Sequence, residues 1–446
     1  MKRLLLTLAV VAVAVTSCQK EVVYNDAPNQ NQSVVLVNSN TRSYEEALAI
    51  AEDAITLLEG DDTRSTTKRV IKRNEGQTVM RPVTRGSEMS EEPIMYVFNN
   101  EDNQGFTVVA ADRSQQPLIA VTEYGNYTYG EPTGVEPFDL YMQNVESRLV
   151  ITPPDWTPFP DGPLEPTLRF VIDTVYHNYS KVDAMLTTKW EQGGIYGNLC
   201  PNGLSGCSNT AAAQIMAYHR HPDLLFTTYR GVNNFDAIVI DWDDILCHTE
   251  GLGTYNTSTG KYECNCGCNH EHISIIMREI GFRANTNYNP GGSGADEPFI
   301  RNVFYVLGFG NPVIVEGVTF EDYRDIIYED LDNNRPIFMS GFESNGGHAW
   351  VIDGYEHESY RLDYYAYNPN SLNNPEHKYV YDHTVVKESN LLHFNWGWDG
   401  NCDGWFAYGC FAPGEGEKYD DRTESNTSGY NFEFFINLIY NIQPNN

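Results

Sequence analysis

The chain has 446 residues, of which 41% are hydrophobic, and a formal net charge of −32 at pH 7. This length allows two or three domains, each with a core of its own. The negative charge argues against binding to nucleic acid or electrostatic docking on anionic lipid, because those surfaces are negative too, and it is typical of a well-solvated extracellular protein.

The first 18 residues have the pattern of an export signal. Two basic residues precede an apolar run from Leu4 to Val15, which is too short to span a bilayer. The run ends in "VTSC", similar to a bacterial lipobox, in which the cysteine becomes the lipidated first residue. We predict a signal peptide over 1–18, lipidation at Cys18 and a polar tether over 19–42, and hence an exported outer-membrane or cell-surface lipoprotein that meets the membrane only through its lipid. The alternative is an ordinary signal peptide with an incidental cysteine.

Residues 43–150 have the pattern of a small α+β domain that starts with a helix. Ser43 and Glu46 stand at capping-box spacing, and Gly60 can close the helix. The apolar positions of one helix face are Leu48, Ala51, Ile55 and Leu58.

The rest of this domain combines a loop, two strands and a second helix. Residues 61–90 are basic and low in hydrophobicity, which predicts an exposed loop open to trypsin-like processing. Strand-like runs follow at 94–98 and 106–111. The second helix is predicted at about 137–150, with an apolar face formed by Phe138, Tyr141, Val145 and Leu149.

Six prolines fall in "TPPDWTPFPDGPLEP", and proline suits neither a helix interior nor a central strand. We therefore assign residues 151–181 to a linker and activation region and residues 182–446 to a second domain. The pattern around Phe170–Lys181 is helical, further helices are predicted after Cys207 and at 270–281, and the remainder is rich in strands and turns. Helices first and a sheet afterwards predict an α+β domain.

Cys207 immediately precedes the helix-forming run "SNTAAAQIMAYH". A helix start carries partial positive charge and unpaired N–H groups, so a thiol there is expected to have a lowered pKa. The thiolate is the nucleophilic form, and small neighbouring residues leave room for close packing. The alternative is a small buried cysteine with a structural role.

A nucleophilic cysteine needs a base, and the base needs an orienting partner. His348 is the candidate base, since it follows two glycines and precedes an apolar strand pattern. Gly347 would let a substrate backbone approach closely. Asn395 lies in a later strand, and its amide oxygen can hold an imidazolium from the far side. Alternatively, His348 is a structural residue of the strand whose ring nitrogens are satisfied by hydrogen bonds.

Three segments, "GCSNTAAAQIMAYH", "GGHAWVIDGY" and "NWGWDGNCDGWF", closely resemble the streptopain family of papain-like cysteine proteases, as does the upstream "TTKWEQGGIYGNLCP". The resemblance runs from about Val182 to the C-terminus and implies a papain-like α+β domain with a helical part and an antiparallel sheet part. It implies that the side chain of Gln192 and the backbone N–H of Cys207 stabilise the oxyanion. Trp396 is then expected to shield the contact between the asparagine and the histidine from water.

The same resemblance extends to a loop that borders the substrate cleft in the family, "NYNPGGSGAD", and it implies that Ser293 and Gly294 bind substrate. Two positions depart from the family pattern. Glu191 stands where a small residue or Asp is common, and Ile195 where proline is common. Neither departure removes a catalytic group, although the extra carboxylate can alter the thiolate pKa or the preferred cleavage sites.

Family members are made as zymogens, and "PIMYVFNNEDNQGFTVVAADRS" resembles the prodomains of Bacteroidetes relatives. The resemblance implies that residues 43–150 are a prodomain that inhibits the protease intramolecularly and helps it to fold. The activating cleavage is then expected within residues 151–181. A competing interpretation makes residues 43–150 a permanent adhesive or binding module.

Apart from the lipidation candidate and the nucleophile, seven of the nine cysteines remain, an odd number. Residues 264–272, "CNCGCNHEH", bring three thiols close to two histidines, but their spacing is tighter than that of structural zinc sites. In an oxidising compartment we expect disulfides in this segment, with Cys247 as a candidate partner, rather than a metal. Cys402 and Cys410 can pair across a hairpin.

These features together predict a secreted cysteine endopeptidase zymogen that acts on protein or peptide substrates, needs no cofactor or metal, and is activated by itself or by another protease. Two alternatives stay open. A surface binding lipoprotein with an inactive protease fold is disfavoured, because nucleophile, base, orienting residue and oxyanion donor are all present. A Cys-His acyl transferase, a transamidase, would be distinguished by adding an amine nucleophile.

Overall fold

The structure is a computed structural model, and the predictions for residues 1–40 and for the proline-rich stretch 151–169 lie outside the residues that it describes. The described residues are 41–59, 69–85, 88–112, 115–150, 170–227, 236–264, 267, 270–289, 292–317, 320–343, 346–367, 379–408 and 435–445.

Within these ranges the chain forms eight α-helices. They are α1 (Tyr44–Glu59), α2 (Glu136–Val150), α3 (Gly194–Gly197), α4 (Cys207–His219), α5 (Trp242–Leu246), α6 (His270–Arg283), α7 (Glu297–Val306) and α8 (Phe320–Asp332). None of these described helices combines the length and the apolar character that a membrane span needs.

The same ranges contain seventeen strands. They are β1 (Gln77–Arg85), β2 (Glu88–Asn99), β3 (Phe106–Ala110), β4 (Leu118–Thr122), β5 (Phe170–Val182), β6 (Leu224–Thr227), β7 (Asp236–Val239), β8 (Thr254–Asn256), β9 (Lys261–Glu263), β10 (Asn287–Asn289), β11 (Gly292–Gly294), β12 (Val313–Glu316), β13 (Ile337–Glu343), β14 (Gly346–Tyr367), β15 (Tyr379–Asn395), β16 (Gly404–Ala407) and β17 (Phe435–Tyr440).

The first helix begins where its cap residues predict. The Ser43 N–H donates to the Glu46 carboxylate at 2.7 Å, and the Glu46 N–H donates to Ser43 Oγ at 3.3 Å, which is the reciprocal capping box. Ala47 and Ala51 are fully buried on the face that packs on the sheet. The predicted strands at 94–98 and 106–111 and the helix at about 137–150 are confirmed as parts of β2, β3 and α2.

The prediction of an exposed loop over 61–90 is wrong for its second half, because β1 and the start of β2 (residues 88–90) lie there. The two strands pair antiparallel from Gln77 opposite Val97 to Arg85 opposite Glu88. β1 is the outermost strand of its sheet, and an edge strand can carry basic residues because one side faces solvent. The basic residues of β1 are therefore explained by its position at the edge of the sheet and do not indicate a loop.

The prediction of a helix around Phe170–Lys181 is also wrong. This segment is β5, and it pairs antiparallel with β14 from Val182 opposite Tyr355 to Phe170 opposite Ala366. Its sequence, "FVIDTVYHNYSKV", is rich in β-branched and aromatic residues, which favour a strand when a partner is present. The partner strand lies almost two hundred residues later in the chain, so local periodicity did not reveal it.

One antiparallel sheet joins the N-terminal and C-terminal halves of the chain. Its order is β1-β2-β3-β4-β16-β15-β14-β13-β17-β12, and β5 pairs with the part of β14 that extends past β13. The junction is the pairing of β4 with β16, where Val121 lies opposite Trp405. The N-terminal domain therefore continues the sheet of the C-terminal domain at its edge.

Both faces of this sheet are covered. On one face, Tyr141 of α2 packs edge-on to Phe406 of β16 at 5.1 Å and donates its hydroxyl to the Ala407 carbonyl at 3.2 Å. On the other face, α4, α6 and α7 form a second core with residues of β13, β14 and β17. Helix α6 confirms the prediction at 270–281, whereas α7 and α8 interrupt a region predicted to be rich in strands and turns. The predicted α+β class, with a helical part and an antiparallel sheet part, is confirmed.

Candidate active site

Cys207 is the first residue of α4, the central helix of the C-terminal domain. The preceding Gly206 has φ +95, and a Cβ at this position would lie 2.6 Å from the Ser293 carbonyl oxygen. Only glycine therefore allows the β10–β11 hairpin to come this close to the thiol. Ala211, Ala212 and Ala213 are 0–2% exposed, so the small side chains that follow the cysteine let α4 lie deep in the core.

Burial dominates the electrostatics of this thiol. Desolvation raises the pKa of Cys207, and the opposing backbone N–H groups of Ala349 and Ser208 do not offset it. The pKa lowering expected from the helix start is therefore not present in this state, since the loss of hydration outweighs the helix-end field. The Ala349 contact nevertheless places the strand that carries His348 directly against the sulfur.

His348 lies on β14 opposite Gly341 of β13, and its side chain is 13% exposed. Its Nε2 is 3.3 Å from the carboxylate of Glu136, the first residue of α2. A carboxylate from the N-terminal domain thus contacts the candidate base. Gly347, the neighbouring residue, pairs with Phe342 and is half-buried.

Asn395 ends β15, and its side-chain amide contacts groups other than His348. Its Oδ1 accepts from Gln214 Nε2 at 2.8 Å, and its Nδ2 donates to the Thr188 carbonyl at 2.7 Å. The expected hydrogen bond between Asn395 and His348 is therefore not formed in this structure. Trp396 is fully buried and packs on Trp350 at 5.1 Å, and its Nε1 donates to the Cys402 carbonyl.

Gln192 is held next to the loop that leads to Cys207. Its backbone carbonyl accepts from the Ser205 N–H at 2.8 Å. Burial, and then the nearby Asp399 carboxylate, raise the pKa of the adjacent Glu191. The extra carboxylate noted in the sequence therefore lies in a partly desolvated, acidic environment close to the oxyanion candidate. Ile195, the other departure, is buried in α3.

The substrate-binding candidates lie on the same side as the thiol. Ser293 Oγ donates to the Leu204 carbonyl at 3.0 Å, which ties β11 to the loop before Cys207. Gly294 pairs with Asn287 across the hairpin and is exposed. The structure thus groups Cys207, Gln192, Ser293 and the strand of His348, whereas the buried side-chain amide of Asn395 bonds to Gln214 and Thr188.

The remaining cysteines follow part of the sequence prediction. Cys247 and Cys264 are disulfide-bonded, as favoured over a metal site, while Cys266 and Cys268 lie outside the described residues. Cys402 is a free, buried cysteine, so its suggested pairing with Cys410 is wrong. Its sulfur instead lies close to Gly125 of the N-terminal domain. A Cβ added to that glycine would be 3.6 Å from the sulfur. In the described part of the chain no group of His, Cys, Asp and Glu has a metal-binding arrangement.

A group of charged residues that the sequence did not predict lies at the junction of the two domains. Glu123 lies directly after β4, Lys189 precedes the Trp-x-Gln-Gly motif, and Asp353 and His393 lie within β14 and β15. A signal was present, because both "VIDGY" and "HFN" place a titratable residue inside an apolar strand pattern. Their partner, Glu123, is more than 200 residues away in the sequence and carries no local signal.

Comparison with known families separates the two halves of the chain. The sequence profile of the Peptidase C10 family matches residues 190–406. The profile of the Spi protease inhibitor family matches residues 35–148. The first range contains the thiol and histidine described above, and the second contains both acidic residues that reach across the junction, Glu123 and Glu136.

Individual relatives are more distant. The chain is 25% identical over 353 residues to the thiol protease/hemagglutinin PrtT of Porphyromonas gingivalis, covering 73% of this chain and about a third (35%) of that protein. It is 23% identical over 351 residues to streptopain of Streptococcus pyogenes serotype M1, covering 74% of this chain and 77% of streptopain. A solved fragment of Prevotella intermedia prointerpain A aligns with a TM-score of 0.47 at 18% identity, over 83% of this chain and 100% of that fragment.

Proposed function

Because the chain belongs to the C10 family of streptopain-like cysteine peptidases and carries a Spi-inhibitor-like N-terminal segment, we propose that it is an exported cysteine endopeptidase made as a zymogen. The observation that carries the proposal is the contact of the Glu136 carboxylate with His348 Nε2 at 3.3 Å. The inhibitor-like domain engages the candidate catalytic base while Cys207 stays at the start of its helix.

In the proposed reaction the Cys207 sulfur attacks the carbonyl carbon of the scissile peptide bond. His348 first accepts the thiol proton and then donates a proton to the leaving amine. The Gln192 amide and the Cys207 N–H donate to the oxyanion. Loss of the amine leaves the acyl group on the Cys207 sulfur as a thioester. Water, with His348 as base, then hydrolyses the thioester, which releases the acid product and regenerates the free thiol.

Asn395 is proposed to orient the imidazole once the N-terminal domain has left. In the structure its amide bonds to Gln214 and Thr188, and Gln214 Oε1 also accepts from the Trp190 N–H at 3.2 Å. Gln214 on α4 thus connects the strand of Asn395 to the segment that leads to Gln192. These contacts hold the orienting residue and the oxyanion residue at a fixed separation.

The N-terminal domain is proposed to act as an intramolecular inhibitor that leaves after cleavage in the linker. Residues 151–181 remain the proposed activation region, and either the enzyme itself or another protease makes the cut. Export through the signal at 1–18 and anchoring through a lipid on Cys18 are also proposals, and they rest on the sequence alone.

The test compares the wild-type chain from Gln19 with its Cys207→Ala variant. Both are treated briefly with a trypsin-like protease, kept under reducing conditions and given a denatured protein substrate, with and without a primary amine. We expect only the wild type to degrade the substrate and to give hydrolysed products. Amine-capped products would identify a transamidase, and equal inactivity of both chains would leave a binding lipoprotein as the better account.

A further inference from the structure

A carboxylate of the N-terminal domain is buried between two cations of the protease domain. Glu123 Oε2 is 2.9 Å from Lys189 Nζ, and Glu123 Oε1 is 3.6 Å from His393 Nε2. The side chains of Glu123, Lys189 and His393 are 27%, 21% and 5% exposed. This contact is therefore largely removed from water, unlike the exposed ion pairs that contribute little to stability.

His393 is itself held in place from below. His393 Nδ1 is 2.6 Å from Asp353 Oδ1, and Asp353 Oδ2 accepts from the Leu186 N–H at 2.8 Å. Asp403 lies alongside and accepts from the Trp396 N–H at 2.8 Å, and burial raises its pKa to about 7. We call the pocket formed by Lys189 and His393 over Asp353 the Glu123 niche.

The niche keeps its occupant ionised over a wide pH range. Burial raises the pKa of Glu123, but the charges of His393 and Lys189 and the hydrogen bond from Lys189 outweigh this and lower it to about 2. Burial lowers the pKa of His393, but Asp353 and Glu123 outweigh this and raise it to about 10. The contribution of Glu123 is therefore present above its ordinary pKa of 4.5 and is lost as pH falls toward 2, whereas that of His393 is complete below about pH 6.5 and is lost as pH rises through 10.

The backbone around Glu123 continues the junction between β4 and β16. The Glu123 N–H donates to the Asp403 carbonyl at 2.7 Å, and the Cys402 N–H donates to the Tyr124 carbonyl at 3.3 Å. Lys189 Nζ also lies 3.8 Å from the centre of the Tyr124 ring. The carboxylate thus arrives at the niche on an extended strand whose main chain is already bonded to the sheet edge.

From these contacts we propose that the Glu123 niche is a carboxylate-recognition site at the edge of the protease sheet, and that Glu123 determines how tightly the prodomain is held. The partner that fits the niche is an extended strand that ends in an acidic residue, which in this chain is the prodomain itself, in cis before cleavage and as a released fragment afterwards. The inference rests on the proposed zymogen function.

The test uses the full chain with Cys207→Ala, so that no self-cleavage occurs. A recognition sequence for an unrelated protease is introduced between residues 151 and 169, and the chain is cut there. The rate at which labelled prodomain exchanges out of the cut complex is then measured at pH 7. The variants are Glu123→Gln, Lys189→Met, the double variant, and Glu45→Gln as a control at an exposed position of α1.

We expect Glu123→Gln to weaken binding on the order of 10- to 100-fold, because it removes the carboxylate that pairs with Lys189 and His393. Lys189→Met should weaken binding as well, and the double variant should lose less than the product of the two single effects, since both remove the same contact. Glu45→Gln should bind like the parent. If Glu123→Gln binds within twofold of the parent, or if the two single effects multiply, the proposal is overturned.

Folding and function are checked separately. Thermal unfolding of the uncut chains shows whether each variant folds. If Glu123→Gln does not fold, the binding of Lys189→Met decides the proposal, because that substitution lies in the other domain. Because every chain here is inactive, the outcome does not depend on peptidase activity. An inactive wild type would overturn the proposed function and leave these binding results unchanged, whereas normal activity with unchanged binding would overturn only the niche.

Discussion

Cys207 shows how two local effects compete at one atom. The start of α4 favours a thiolate, but the sulfur is desolvated by the packed strand of His348 and by the β10–β11 hairpin, and its pKa is raised. The residue types predicted the nucleophile, while the protonation state depends on what covers it. Beside this thiol, α2 of the prodomain brings Glu136 to His348, the candidate base.

Replacing Glu136 by Gln should release His348 from its carboxylate partner. Because Glu136 is 68% exposed, the pair contributes about 0–1 kcal/mol, so we expect activation of the full chain to accelerate by about two- to fivefold. The measurement is the rate of appearance of mature protein at pH 7. Glu131→Gln, at an exposed position of the same domain, should leave the rate unchanged, and equal rates for the two variants would contradict the assigned role.

Asp353 is expected to be the most sensitive acidic residue of the protease domain. The Asp353 side chain is 0% exposed and paired with His393. In the Cys207→Ala chain, Asp353→Asn should therefore lower the free energy of unfolding, measured by urea denaturation, by about 3–5 kcal/mol. The control is Asp183→Asn, whose side chain is 83% exposed and pairs with Lys181 at the surface. A loss below about 1 kcal/mol for Asp353→Asn would contradict this account.

The same pair predicts a pH dependence of stability. His393 has a pKa of about 10 in the folded chain and about 6.5 when unfolded, so its contribution is complete below pH 6.5 and is lost as pH rises through 10. The free energy of unfolding should therefore fall between pH 6.5 and pH 10. Asp353→Asn should show a shallower fall over this window, and parallel curves would count against the ion pair.

At the scale of elements, the β4–β16 junction is the seam between the domains. A Cβ at Gly404 would lie 2.2 Å from the Val121 carbonyl oxygen and 2.7 Å from Thr122 Cα, both in the prodomain. The clash falls on backbone, which cannot move as a flexible side chain can. The absence of a side chain on β16 is what lets the prodomain strand bind there.

Gly404→Ala should therefore loosen the prodomain while leaving the protease fold intact. We expect at least a tenfold faster exchange of prodomain from the linker-cut chain, since the strand pairing must shift to admit the methyl group. Gly310→Ala is the matched control, because its Cβ would make only ordinary contacts at 3.5 Å. Equal exchange rates for the two variants would show that the seam is not limiting.

β5 should remain with the mature enzyme. Its backbone is paired with β14 from residue 170 to residue 182, and a protease needs an extended segment free of such pairing. We expect the mature N-terminus to lie before Phe170, in the first part of the predicted activation region. Mass spectrometry of the mature chain tests this, and an N-terminus at residue 171 or later would contradict it.

Elements with local signals were predictable and elements with distant partners were not. The capping box of Ser43 and Glu46 sets the start of α1 through contacts three residues apart. β5 was predicted to be a helix because its pairing partner, β14, lies far along the chain, and β1 was predicted to be a loop because its basic residues suit an edge strand as well as a loop. For the same reason the site residues were found by motif, while Glu123 and Glu136 were missed.

At the scale of the whole molecule, the largest sheet of the described residues is built from both domains. The prodomain extends the sheet edge, places Glu123 in its niche and brings Glu136 to the candidate base. A strand seam, a buried charge and an exposed charge thus act on one face of the protease domain. In the proposed activation, loss of the prodomain would open all three contacts together, so that cleavage of one linker would change the site.

The central claim is that the prodomain keeps the Cys207–His348 pair from forming a reactive thiolate. The most direct test is the pH dependence of Cys207 alkylation by iodoacetamide, followed by mass spectrometry of its peptide, in the zymogen and in the mature form. We predict that the zymogen reacts only at a higher pH than a free cysteine, because burial raises the pKa of its thiol, and that the mature form reacts at a lower pH than the zymogen. Identical profiles for the two forms would contradict the account.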